Sequence, residues 1–167
     1  MLIAVVASLA LAGCSPTVAL KSAPNANAVR CANVTIALPD TVAGLPSRHT
    51  NAQATGAWGD PVGVVLYCGT PVQGPTTKQC VTVNGVDWVK ENESVSKAAF
   101  TAFGRSPGIE VIINGDNVDG STALYDLADA VSVLPQKAKC LSSDNADPGI
   151  TTSTPTATPA PTATPAG

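Results

Sequence analysis

The chain has 167 residues, with 9 Lys plus Arg against 12 Asp plus Glu, a formal charge of -3, and only 13% charged against 44% hydrophobic residues. That balance excludes a basic nucleic-acid binder and a highly charged disordered chain, so no nucleic-acid partner is expected. Two compositionally distinct ends leave room for one domain between them.

Residues 1–12, MLIAVVASLALA, form an apolar run. It is too short for the roughly 20 residues a membrane-spanning helix needs, but it suits the apolar core of an export signal. No Lys or Arg precedes it, a departure from the usual basic start. The run ends in Leu11-Ala12-Gly13-Cys14, which resembles the lipobox of bacterial lipoprotein precursors. The resemblance implies cleavage before Cys14 and a diacylglyceryl thioether on its sulfur. Two acyl chains, at about 0.8 kcal/mol per buried CH₂, hold a protein on a bilayer where one chain would exchange. Ala10-Leu11-Ala12 also fits the pattern for plain secretion. Cysteine parity favours the lipid: removing Cys14 leaves Cys31, Cys68, Cys80 and Cys140, an even set suited to an oxidising compartment.

Residues 1–13 are therefore read as a signal peptide, 14–30 as the lipidated Cys and a flexible tether, 31–141 as a globular domain, and 142–167 as a disordered tail. The tether is rich in Ser, Pro, Asn and Ala and lacks apolar periodicity. The tail, ending TTSTPTATPAPTATPAG, is an uncharged Thr/Pro/Ala tract that cannot build a core; it is either a spacer or an acceptor of O-glycans.

Within the domain, Val34, Ile36 and Leu38 alternate with Thr35 and Ala37, which predicts a strand ending at Pro39. A short helix is expected after Pro46, and VGVVLYC at 62–68 reads as a buried strand. The segment 81–88 places Asn84-Gly85 between two alternating arms, the signature of a type I′ hairpin. Its register would set Val83 against Val86, Val81 against Trp88, and Thr82 against Asp87. Residues 97–103 and 109–113 are two more strands, turned by 104–108. Leu124, Leu127, Ala128, Val131 and Leu134 then fall on one helical stripe, capped by Ser121 and ended by Pro135. The fold class is α+β: a small antiparallel sheet with one C-terminal helix packed on it and two disulfides. Because Cys68 and Cys80 bound a Gly/Pro-rich loop, the favoured pairing is 68–80 with 31–140. A Cys₄ zinc site would need C-x-x-C spacing, which is missing, so no metal or other cofactor is expected.

No catalytic residue is assigned. His49 is the only histidine and carries no motif, and the oxygen-rich loop 114–120 does not match calcium-loop spacing, so it reads as a solvated turn. Asp126 and Asp129 are placed on the wet face of the helix. Arg105 and Glu110 flank a turn and would form a surface ion pair. The candidate binding residues are Arg48, Trp58, Asp87, Trp88, Arg105 and Glu110, since Trp and Arg are the side chains most used to hold partners; core packing competes for both Trp.

The succession V-T-I-A-L-P, A-W-G-D-P-V, L-Y-C-G, V-N-G-V-D-W and F-G-R-S-P-G-I-E-V, followed by a helix and a final Cys, is similar to a family of uncharacterised actinobacterial membrane lipoproteins, over residues 32–140. The chain departs from that pattern at Arg48-His49, where two basic residues are frequent, and at Phe103, where Tyr is frequent. The resemblance implies a location outside the cytoplasmic membrane and brings no activity. The expected function is a non-enzymatic binding or accessory module of the cell envelope, held by its diacylglyceryl anchor and meeting a cell-wall or envelope-protein partner. The alternatives are a peptidoglycan or glycan hydrolase or transferase, favoured if Arg48, Asp87, Arg105 and Glu110 converge in a cleft, and a carrier of a small apolar ligand, which needs a cavity between sheet and helix.

Overall fold

The computed structural model describes residues 16–94 and 97–140. The segment expected to be an export signal, Cys14 and the Thr/Pro tail lie outside the described residues. The elements run α1 (Val29–Ile36), β1 (Thr41–Val42), β2 (Leu45–Arg48), β3 (Thr55–Trp58), β4 (Val64–Thr70), β5 (Cys80–Val83), β6 (Val86–Ser94), β7 (Lys97–Ala102), β8 (Gly108–Asn114) and α2 (Gly120–Ser132). The strands form one antiparallel sheet in the order β1-β2-β3-β4-β8-β7-β6-β5. Two meanders, β1 to β4 and β5 to β8, are thus joined where β8 returns to pair with β4.

The architecture is the expected α+β class, and the β5–β6 hairpin has the register read from its sequence, with Asn84 and Gly85 both at positive φ. Alternation explains the core. Leu66, Cys68, Ile109, Val111, Val86 and Trp88 point to one face of the sheet, where Leu124, Leu127 and Val131 of α2 cover them. A second helix, α1, packs beside α2 on the same face.

Several local expectations are corrected. Residues 34–38 are not a strand: Val34 and Cys31 bury one stripe of helix α1 while Ile36 is 84% exposed, a period-3.6 arrangement that short alternation cannot exclude. The segment after Pro46 is strand, not helix, because β2 pairs with β3. Helix α2 is capped by Asp119, whose carboxylate accepts the Thr122 N–H at 2.7 Å, and not by Ser121. Asp126 is not simply solvated, since its Oδ2 accepts the Ala43 N–H at 2.8 Å and ties α2 to the β1–β2 turn.

The disulfides also differ. Cys31 bonds Cys68 and Cys80 bonds Cys140, instead of 68 with 80 and 31 with 140. The loop between Cys68 and Cys80 separates opposite regions of the sheet: β4 is central and β5 is an edge, with β8, β7 and β6 between them. Nearness in sequence therefore misled. One bridge pins α1 to β4, and the other pins the chain beyond α2 to the start of β5.

Residues 16–28, expected as a free tether, lie against the domain. Val18 bridges to Thr50, the Leu20 N–H donates to Asn51 Oδ1 at 2.8 Å, and the Asn25 N–H donates to the Gly69 carbonyl at 2.9 Å. Gly69 sits at φ +95°, and a Cβ there would fall on the Asn25 backbone. Gly104, at φ +70°, lies in the same way beneath Ala138. Each terminal segment thus passes over a glycine, Gly69 in β4 or Gly104 in the β7–β8 turn, where backbone meets backbone.

Candidate functional site

The six side chains singled out from the sequence do not converge. Trp58 is buried, its indole N–H donating to the Pro39 carbonyl at 3.0 Å, and Trp88 is buried in the same core. Arg48 donates to the Gly59 carbonyl at 2.9 Å and the Pro16 carbonyl at 2.8 Å, with Asp60 at 3.2 Å. It therefore fastens the N-terminal segment to the β3–β4 turn.

Asp87 and Arg105 fasten the other end. Asp87 is buried; its Oδ1 accepts from the Thr82 hydroxyl at 2.7 Å, and its Oδ2 accepts from the Gln136 amide at 3.0 Å and the Cys140 N–H at 2.9 Å. Arg105 does not form the expected surface pair with Glu110. It is buried, donating to the carbonyls of Leu134 and Gly85. Burial lowers its pKa, and the nearby Asp87 charge opposes that effect. The turn of 104–108 carries Arg105 under the chain leaving α2, away from β8, so the short sequence separation does not bring it to Glu110.

Glu110, by contrast, opens into a cleft. On the sheet face away from the helices, register aligns Tyr67 of β4, Glu110 of β8, Thr101 of β7 and Val89 of β6 in one row. Residues of the N-terminal segment, Lys21, Ala23 and Pro24, form one wall; Thr70, Pro71 and Gln73 form another; Glu91 enters from β6, at a bulge between Lys90 and Asn92. The cleft has a volume of about 570 Å³ and is open to solvent. Such a size lies within the range of small-molecule sites.

Its electrostatics are distinct. Glu91 is held by Lys78 through Oε2, while its Oε1 is buried without a partner. Burial, with the Glu91 charge added, raises the Glu110 pKa above the usual carboxylate value. Burial and the Glu110 charge raise the Tyr67 phenol in turn. With its pKa raised, the Tyr67 phenol keeps its proton and can donate a hydrogen bond beside Glu91 and Glu110. Among the described residues no cluster of three or more metal-type ligands occurs.

Sequence reasoning missed Tyr67, Glu91, Thr101 and Lys21. Their period-two placement opposite Leu66, Ile109 and Val111 was legible, but that they form one row depends on the pairing of β4, β8, β7 and β6, which no local signal supplies. The gap between α2 and the sheet, where an apolar carrier would need its cavity, holds a solvent-open groove of about 300 Å³ lined in part by Val81, Val83, Phe100 and Leu124.

The family described as "Protein of unknown function (DUF3515)" matches residues 1–139. The chain belongs to that family. No curated protein and no solved structure matches it. Family membership thus brings no activity, and the geometry above stands as the functional information on this chain.

Proposed function

We propose that this DUF3515 protein is a lipid-anchored binding module of the cell envelope, presenting the Tyr67–Glu110–Thr101 cleft to its ligand outside the cytoplasmic membrane. The observation that carries the binding role is that cleft. It sits on the face of the sheet that the helices leave uncovered, and it gathers the Tyr67, Glu110, Thr101 and Gln73 side chains beside a Glu91 already paired with Lys78. The four side chains that would have marked a catalytic cluster are dispersed, three of them holding terminal segments in place. The envelope location is supported by the lipobox before Cys14 and by the pairing of the other four cysteines, which suits an oxidising medium.

Two measurements test this reading. Metabolic acyl labelling with mass spectrometry of the mature N-terminus is expected to find lipid on Cys14; an unmodified N-terminus at Gly13 counts against the anchor. Amide NMR of the isotope-labelled domain, titrated with a solubilised envelope fraction, is expected to shift Tyr67, Thr101 and Glu110 together. Shifts confined to other surfaces, or none, count against the cleft.

A second reading, a glycan hydrolase, is favoured by one observation. Glu110, its pKa raised by burial and by Glu91, shares a solvent-open cleft with that second acidic side chain, the residue pairing such an enzyme uses. In that case reducing ends appear when the protein is incubated with cell-wall polysaccharide, and Glu110→Gln abolishes their release.

A further inference from the structure

The cleft's ligand can be narrowed by its charge and its unused hydrogen-bonding capacity, an inference that rests on the binding reading above. Two carboxylates, Glu91 and Glu110, border the cleft; Lys21 lines it, and Lys78 is already bound to Glu91. One acidic side chain is thus already paired and the other shares the cleft with a lysine, so the lining carries no cluster of like charges to select a cation or an anion. With only two carboxylates and no imidazole or thiolate, the lining also lacks the donor set of a metal site.

What remains unsatisfied is hydrogen bonding. The buried Glu91 Oε1 and Thr70 Oγ1 have no partner, and both residues line the cleft. The Tyr67 phenol, the Thr101 hydroxyl and the Gln73 amide add groups that can donate as well as accept. Ordinary small-molecule pockets are mostly apolar with a few polar groups, whereas here polar groups dominate the lining. The apolar part comprises the Tyr67 ring, Pro24 and Pro71, rigid surfaces whose ordering costs little on binding, together with Ala23 and Ile112. A ligand matching this arrangement is neutral, rich in hydroxyls that both donate and accept, and has an apolar face to set against a ring.

We infer that the cleft between residues 21–24 and 70–73, floored by Tyr67, Glu110 and Thr101, binds a neutral saccharide. The carboxyl oxygens accept hydrogen bonds that its hydroxyls donate, Gln73 and Lys21 donate to its ring and acetal oxygens, and Tyr67 packs against a sugar face.

The test is calorimetric titration of the disulfide-intact soluble domain with chitobiose, cellobiose, maltose and mannobiose, and with cadaverine as a cationic probe. At least one disaccharide is expected to bind with a Kd below about 1 mM, with cadaverine silent. Glu110→Gln, which keeps the shape but weakens an acceptor, and Tyr67→Phe, which removes one hydroxyl, should each weaken binding roughly threefold to tenfold. Gln73→Trp, a change in a loop that fills the cleft from its rim, should abolish it, while Asn33→Ala on exposed α1 leaves it unchanged. No binding by any disaccharide overturns the inference, as does cadaverine binding in their place or saccharide binding that survives Gln73→Trp. If the envelope fraction shifts the cleft amides while all four disaccharides fail, the binding reading stands and the saccharide assignment falls.

Discussion

Glu91 and Glu110, two strands apart on β6 and β8, open into one cleft, and the charge of Glu91 adds to burial in raising the Glu110 pKa. A fold gains nothing from such a pair. The folded chain binds the Glu110 proton more tightly than the unfolded chain, so Glu110 opposes folding wherever it is ionised in both states.

The sign of that effect is testable. A carboxyl with a raised folded pKa costs stability above that pKa, and the cost disappears as pH falls toward the ordinary carboxylate value. Glu110→Gln is therefore expected to raise Tm at neutral pH and to lose its advantage in acid. Thermal melts of the two proteins across that range check it; a uniformly lower Tm for the variant contradicts a strained carboxylate.

Asp119 acts in the opposite direction. The Thr122 hydroxyl and N–H lower its pKa, so its contribution is present above the unfolded carboxylate value and is lost as pH falls through the depressed folded value. Asp119→Ala should lower stability at neutral pH, as loss of an N-cap does, with the difference shrinking in acid; urea unfolding at two pH values reads both.

Asp87→Ala should be far more damaging. It strips partners from Thr82, Gln136 and the Cys140 N–H and leaves buried Arg105 without its counter-charge. A loss of about 2–4 kcal/mol is expected by urea unfolding, with faster hydrogen exchange in residues 136–140. A loss below 1 kcal/mol on the order of an exposed substitution would remove Asp87 from its fastening role.

Non-reducing peptide mapping should link Cys31 to Cys68 and Cys80 to Cys140. Replacing either pair by Ser is expected to cost about 4 kcal/mol by loop-entropy arithmetic for loops of 37 and 60 residues. A peptide joining Cys68 to Cys80 would contradict the topology itself.

Gly69→Ala places a methyl group against the Asn25 backbone at a positive φ. A loss of at least about 1–3 kcal/mol is expected, with the N-terminal segment lifting from β4 and becoming sensitive to protease. Because that segment walls the cleft, ligand binding should weaken with it.

Much of the fold was legible where the signal is local. Asn84-Gly85 set the hairpin and its register, and the stripe from Leu124 to Val131 set α2. Misreadings fell where tertiary pairing decides. Residues 34–38 alternate like a strand, but 34–36 close helix α1, which the Cys31 bridge holds to β4, and Cys68 and Cys80 are sequence neighbours that belong to distant strands. The candidate site was the least legible part. Large Trp and Arg side chains drew attention and proved to hold the structure together, while Tyr67, Glu91 and Thr101 acquire their relation only through strand register and a bulge.

The most direct measurement of the central claim is photo-crosslinking in intact cells, with benzoylphenylalanine placed at Gln73 on the cleft rim and, as a control, at exposed Asn33 on α1. The account predicts an adduct with envelope material from Gln73 that is reduced by Glu110→Gln, and little from Asn33. Equal yields from both positions, or none from Gln73, would contradict a ligand site in this cleft.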